Sequence, residues 1–253
     1  MPQPSPVSSS LHARIAERLG RDIVSGQIAE GALLPGVEEL REQFGASRVI
    51  VREAIRTLGA KGLVYSRRRM GTRVAERAGW NLFDEEVLAW VMAEGGASAF
   101  LTAFVEFRLM VEPDAAALAA ERASQEDLAP LRTSVDAMEN ASGDLARFHD
   151  ADVHFHLALL KASTNPFVAG LGRASQTYLD ISFRLQEANV DESTIQEEVE
   201  MHRRLLDLIE TGEAEEARRE CRRIIMSGKR ALERSLQKVA VNPPSTVSTA
   251  PVT

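Results

Sequence analysis

Two groups of residues in this sequence have types and spacings that can do chemistry. The first is the run Ser47-Arg48-Val49-Ile50-Val51-Arg52. A serine ahead of an apolar stripe (Val51, Ile55, Leu58) caps a helix, and arginines four residues apart project from one exposed face. A guanidinium fork matches O6 and N7 of guanine, and each such contact discriminates between bases by roughly 1–3 kcal/mol. The second group is Asp152, His156 and His202. Asp152 and His156 stand at i and i+4, so carboxylate and imidazole share a helix face, and His202 lies on another predicted helix. One carboxylate and two imidazoles are a ligand set for Zn or Ni. Without an ion, the same three side chains form a hydrogen-bonded polar cluster that takes an effector directly. Three ligands around a free coordination position also suit a metal-dependent hydrolase. No well-placed general base or nucleophile accompanies them, so a binding protein rather than an enzyme is expected.

Further candidates flank these groups. Arg67, Arg68 and Arg69, followed by Gly71, would place cations and a close-approaching backbone against a phosphate backbone or a minor groove. Arg108 sits between Phe107 and Leu109 in an apolar helix, and a buried arginine is costly unless it meets an anion. Either it clamps the carboxylate of an acidic effector, or it pairs internally with an acid such as Glu106 or Glu112. His154 points about 200° round the helix from Asp152 and His156, away from the cluster. His149 shares their face one turn earlier, with no role assigned.

These side chains need particular elements to hold them. Leu11, Ile15, Leu19 and Ile23 follow the four-residue step of an amphipathic helix. Short helices over about 37–44 and from Ser47 to Gly62 come next, with Gly45 and Gly62 as terminators. Two β-prone stretches, 63–66 and 72–75, bracket the arginine run. Three helices and a hairpin with a basic tip make a winged helix-turn-helix. Beyond Gly79 the strand signals fade. One helix is predicted from Trp80 to Met92, and others at about 98–122, 125–141, 144–162, 166–188, 192–211 and 213–238. Ser124 and the Asn165-Pro166 pair supply N-terminal signals, and Gly212 a stop. The fold expected is mainly α: a flexible tail over 1–10, a winged helix-turn-helix over 11–78, an all-α bundle over 79–238, and a disordered tail over 239–253.

The totals agree with such a chain. A length of 253 residues allows two domains, and the formal net charge is −7. The charge is unevenly spread: residues 1–78 hold 13 basic against 8 acidic side chains, and the remainder holds 17 of the 30 basic and 29 of the 37 acidic ones. A basic head on an acidic body suits a polyanion partner. No apolar run approaches the length of a membrane span, the first ten residues do not read as a signal peptide, and Cys221 is the one cysteine. A cytoplasmic protein without disulfides is expected.

The stretch from Ile23 to Val74, with IVSGQIAEGALLP, FGASRVIVREAIRTLGAKGLV and GTRV, closely resembles the DNA-binding domain of the GntR family. It departs from the family after Leu34-Pro35. Gly36-Val37-Glu38 removes a usual helix cap and puts an acid where a base-contacting arginine often sits. The later segments resemble FCD, the helical ligand-binding domain of the FadR-type subfamily. They are Glu106-Phe107-Arg108 with Val111-Glu112-Pro113, Asp152 to His156, Asn165-Pro166, and His202 before Leu205-Leu206. Together with Trp80 to Asp84 and Val87 to Val91, the pattern looks most like regulators of galactonate catabolism.

The resemblance implies a homodimeric repressor on double-stranded operator DNA, contacting it through Ser47, Arg48, Val49, Arg52, Arg67, Arg68, Arg69 and Gly71. It also implies release by a small carboxylate, a sugar acid, bound at Arg108, Asp152, His156 and His202. FCD domains commonly hold a divalent metal with an aspartate and three histidines. Here Asp152, His156 and His202 match, the usual place of the third histidine falls on Ile224, and Cys221 is the only soft donor nearby.

Overall fold

The computed structural model describes residues 10–67, 70–94, 97–141, 143–186 and 192–241. Two expectations, the tail over 1–10 except Ser10 and the tail over 239–253 from residue 242 onward, lie outside these residues, as do Arg68 and Arg69. The chain divides into two compact units, residues 1–97 and 98–253.

The first unit is built on α1 (Leu11–Val24), α2 (Val37–Phe44) and α3 (Arg48–Ala60), followed by strands β1 (Val64–Arg67) and β2 (Gly71–Val74). The strands pair antiparallel with Val64 opposite Val74 and Arg67 opposite Gly71, and an isolated bridge adds Leu33 beside Arg73. Ile15, Leu19 and Ile23 of α1, Leu40 of α2, and Val51, Ala54 and Leu58 of α3 are all buried. Ile55, expected in the α3 stripe, is only half-buried, and Ala54 takes its place. Fully burying one leucine contributes about 1.5–3 kcal/mol, so the α3 stripe anchors that helix firmly to α1.

The expected helix from Trp80 to Met92 is shorter. A 3-10 turn covers Arg77–Gly79, and α4 runs only from Glu85 to Ala93. Asp84 explains the late start: its carboxylate accepts hydrogen bonds from the Glu86 and Val87 amides at 3.1 Å, an N-cap that leaves residues 80–84 outside the helix. Phe83, in the stretch left outside the helix, is exposed.

The sequence reading grouped this segment with the second unit, but α4 packs against α1. Gly20 makes room for it, since a Cβ there would lie 2.2 Å from the Trp90 ring. The contact thus extends the first unit to residue 97 rather than 78.

The second unit is helical: α5 (Ala97–Arg122), α6 (Gln125–Glu139), α7 (Leu145–Ala162), a single turn α8 (Pro166–Ala169), α9 (Gly172–Gln186), α10 (Glu192–Glu210) and α11 (Ala214–Val241). Ser124 and Asp127 form a reciprocal capping box at α6. Asn165 caps α8 with Pro166 in its first turn. The helix expected over 166–188 is interrupted at Gly170-Leu171, where a glycine weakens the turn. Helices α6 and α7 pack together, α10 packs on α6 and α11, and α9 lies against α7 and α11. Phe155, Leu159, Tyr178, Leu205 and Ile224 are buried in this bundle. Among the described residues no helix is long and apolar enough to cross a membrane.

Gly62, just past the end of α3, meets two constraints at once. Its φ is +75°, and a Cβ would fall 2.3 Å from the Gly79 carbonyl oxygen. Gly26 has φ +81° with nothing within 4 Å. Gly26→Ala should therefore cost about 1 kcal/mol of stability, from the left-handed backbone alone. Gly62→Ala should cost at least about 2 kcal/mol, because the backbone beyond β2 must also move. Urea unfolding of both variants checks this; equal losses would show that the Gly79 approach is not a constraint.

Candidate functional site

The two groups that opened the sequence reading fall in separate units. In the first, Ser47 caps α3, its Oγ accepting from the Ile50 amide at 3.4 Å. That cap fixes the helix start and sends the next residues outward. Arg48 and Val49 are about two-thirds exposed (68% and 70%), and Arg52 is exposed beside them. The face therefore offers two cations around an apolar side chain of a size that can meet a thymine methyl. Among the described residues Arg52 has no carboxylate within ion-pair distance, whereas Arg48 Nε lies 2.5 Å from Glu38 Oε1. At the wing, Arg67 is exposed with its guanidinium over the Tyr65 ring at 5.3 Å. Gly71 has φ +78° and sits so close to Leu33 that a Cβ would lie 2.8 Å from its Cδ1.

In the second unit, α7 carries Asp152 and His156, α10 carries His202, and α5 carries Arg108 and Glu112. The structure brings Asp152, His156 and His202 together, with one potential ligand atom from each lying within 4.8 Å of the others. Asp152 Oδ1 is 3.2 Å from His202 Nε2 and 3.7 Å from His156 Nε2. Both rings are tied from behind. His202 Nδ1 donates to the Glu198 carbonyl oxygen at 2.7 Å, and His156 Nδ1 lies 2.9 Å from Glu112 Oε2, in position to donate to it. With its Nδ1 proton so engaged, His202 keeps its Nε2 lone pair on the Asp152 side, whereas His156 Nε2 lies nearer the Arg108 guanidinium, at 3.0 Å, than Asp152.

His202 Nε2 is buried, and despite its 3.2 Å approach to Asp152 it has no hydrogen-bond partner. An orphaned imidazole nitrogen of this kind, beside a carboxylate, fits a divalent cation.

Arg108 follows the internal-pair alternative. Its Nε and Nη2 donate to the two oxygens of Glu112 at 2.5 and 3.0 Å, and Nη2 also lies 3.0 Å from His156 Nε2. Burial would raise the Glu112 pKa, but the Arg108 guanidinium and the hydrogen-bonding His156 ring outweigh it and hold the carboxyl at about 2. Burial would likewise raise Asp152, yet His156, His202 and Arg108 draw it below the usual carboxylate range. Burial alone would lower the His202 pKa; the Asp152 carboxylate and the Glu198 carbonyl reverse this and raise it.

Arg108, Asp152 and His156, with His149, line a cavity of about 100 Å³, whereas His202 and Glu112 lie behind its wall. Ile224, at the place where FCD domains usually have a third histidine, lines the same cavity and presents hydrocarbon to it. Cys221 is buried, its thiol pKa pushed up by that burial, and it is not part of the Asp152 cluster. His149 lines the wall, stacks on Phe183 at 4.0 Å and lies 3.1 Å from Asp180 Oδ1. His154 is exposed and points elsewhere, as its helical phase requires.

Sequence reasoning did not single out Glu198, Tyr178 and Lys229, which also face the cavity. Glu198 stands four residues before His202, a spacing that could have placed it on the same helix face.

Comparison with known proteins agrees with this two-unit reading. Residues 11–74 match the family model of bacterial regulatory proteins, gntR family, and residues 103–227 match that of the FCD domain. The galactonate operon transcriptional repressor of Escherichia coli K12 is 34% identical over 220 residues, spanning 87% of this chain and 96% of that protein. A solved structure of Streptococcus agalactiae GntR superposes with TM-score 0.50 at 26% identity, covering 87% of this chain and 99% of that one. A Listeria monocytogenes protein, described as Lar controlling the agr system, shares the fold at TM-score 0.59 and 20% identity, over 90% of this chain and 99% of its own. Two family models in chain order, and a relative of this similarity along nearly its whole length, show that the chain belongs to the gntR family of bacterial regulatory proteins and carries an FCD domain.

Proposed function

We propose that this chain is a repressor of a sugar-acid catabolic operon, released from its operator when a small carboxylate effector enters the helical unit. The observation that carries the reading is the edge of α3. A capped helix whose back is fully buried turns Arg48, Val49 and Arg52 outward, as a major-groove reader requires. The similarity to the galactonate operon repressor supports the effector class. In this reading residues 11–97 form the DNA-reading head, with the groove contacts within 11–78, residues 98–238 bind the effector and dimerise, and the terminal segments 1–10 and 239–253 belong to neither.

Two copies would present two α3 helices to a pseudo-palindromic operator, with Arg67, Arg68, Arg69 and Gly71 at the flanking backbone. The protein acts in the cytoplasm, and by binding rather than catalysis. Its relatives are transcription regulators, which leaves the hydrolytic reading of the same triad without a supporting observation.

Asp152, His156 and His202 would hold a divalent ion of Zn or Ni type, which supplies a fixed positive centre for an effector carboxylate or hydroxyl. Ile224 contributes no ligand, so the protein's donor set is three and the cavity side is left for the effector. Arg108 adds positive potential at the same wall, although its charge is already matched by Glu112. Effector binding weakens operator binding only through its different affinity for the two arrangements, typically about 1–3 kcal/mol.

The direct test is a gel shift with DNA upstream of the protein's own gene, titrated with aldonic acids, with and without chelator. Specific binding that an aldonic acid reverses supports the proposal; binding unmoved by any of them sinks the effector class.

Two variant sets refine this. Arg48→Ala and Arg52→Ala should each lower the preference for operator over random duplex by about 5- to 100-fold at fixed salt. Arg67→Ala should instead weaken both duplexes alike and flatten the salt dependence. Anisotropy titrations at two ionic strengths read both effects. Asp152→Asn keeps the volume but removes the shared charge, and should lower metal affinity at least about tenfold. Metal analysis of dialysed protein checks this; full retention of the ion would place it elsewhere.

A further inference from the structure

Glu38 stands where the family often has an arginine, on the first turn of α2, and the structure gives it a definite task. One carboxylate oxygen lies 2.5 Å from Arg48 Nε, and the other accepts from Arg41 Nε at 3.1 Å. All three side chains are at least two-fifths exposed. The hydrogen bond and charge of Arg48, with Arg41, hold the Glu38 carboxyl below its ordinary pKa, so it is ionised at neutral pH. The acid therefore faces the surface that α3 offers to DNA, beside the arginine that leads it.

Such placement has two physical consequences. A guanidinium held through Nε keeps its Nη1/Nη2 edge free, and that edge suffices for both hydrogen bonds to guanine O6 and N7. Fixing the plane of an exposed arginine also removes rotamer freedom that base contact would otherwise have to quench. At the same time, a carboxylate beside the groove is repelled by phosphates. Registers in which Arg48 is not on a base edge keep the repulsion without the compensating contact.

We propose that Glu38 is a specificity-determining residue of the DNA-reading face: it positions Arg48 for end-on recognition of a guanine and penalises non-specific engagement. The inference rests on the reading of Arg48 as a base contact, and deepens it. Glu38 lowers affinity for DNA in general and raises the ratio between the right and the wrong duplex.

The test uses the full chain and selection from a random duplex library, followed by anisotropy on the selected and a scrambled duplex. Arg48→Ala identifies the base pair that Arg48 reads. Glu38→Ala should then lose preference at that same base pair by about tenfold, the scale of one bidentate contact, while binding the scrambled duplex more tightly than wild type. Glu39→Gln is the charge control: it removes one negative charge from the neighbouring exposed position, and Glu39 makes no ion pair among the described residues. It should leave the preference intact.

If Glu38→Ala keeps the wild-type preference, or if Glu39→Gln loses as much, the positioning role is overturned while Arg48 remains a reader. If wild type selects no duplex at all, the underlying reading of Arg48 fails and the inference fails with it. Melting temperatures of all variants close to wild type establish that the fold is not the cause.

Discussion

A charge taken out of water has to be answered by other charges at hydrogen-bond distance, and in the helical unit everything at the cavity follows from that. Arg108 is buried, so Glu112 is buried with it, four residues on along the same helix. One Glu112 oxygen is shared with His156 Nδ1, which fixes the ring with its Nε2 between Arg108 and Asp152. His202 is fixed in the same way by a backbone carbonyl of its own helix. The outcome is two imidazoles held from behind beside one carboxylate, with the Arg108 guanidinium also at the His156 ring. Removing Glu112 would strand a guanidinium and release an imidazole at once, so the pair is a support for the site as much as for the fold.

Much of this was legible in the sequence, and the limits have physical causes. Ser47, Ser124 and Asn165-Pro166 worked as caps because capping is a local contest between one side chain and two or three amides. The i, i+4 placement of Asp152 and His156 followed from helical geometry alone. The meeting with His202 depended on α10 packing near α7, which no local rule contains; the family resemblance supplied it. Arg108 shows the boundary well. Sequence reasoning left two partners open, an effector and an internal acid, and the choice of Glu112 required knowing that the face they share turns inward. The stretch 80–84 misled because its apolar periodicity ran through a capping aspartate: Asp84 at an N-cap outcompetes helix continuation, whatever the pattern around it. The break at Gly170 is of the same kind, a local weakness inside a segment whose overall pattern was helical.

The unequal charge of the chain acquires a physical sense from the geometry. Phosphate contacts supply affinity that any duplex can use, whereas base contacts supply discrimination. A head with a modest cationic excess on an acidic body would leave little sequence-independent attraction to spare. Discrimination then has to come from few, well-held side chains, and the structure holds Arg48 with a carboxylate and starts its helix with a capped serine.

The far end of the same helix bears on how a signal could reach it. Lys61, which follows α3, is buried and donates to both oxygens of Asp84 at 2.7 and 2.8 Å, with Glu86 also at 2.7 Å. Burial would lower the Lys61 pKa, but these two carboxylates raise it, so the ammonium stays charged at any ordinary pH. Asp84 is at the same time the N-cap of α4, so one carboxylate closes the end of the recognition helix and opens the next. Trp90, seated against Gly20 of α1, fixes the middle of α4 to the same core. A rotation of α4 against α3 would have to break an ion pair, a helix cap and an aromatic contact together, far more than the few kcal/mol that an effector typically supplies. A displacement of α4 that carries the whole winged head with it breaks none of them. The coupling, if it passes through this helix, therefore moves the reading face as a body rather than by bending it.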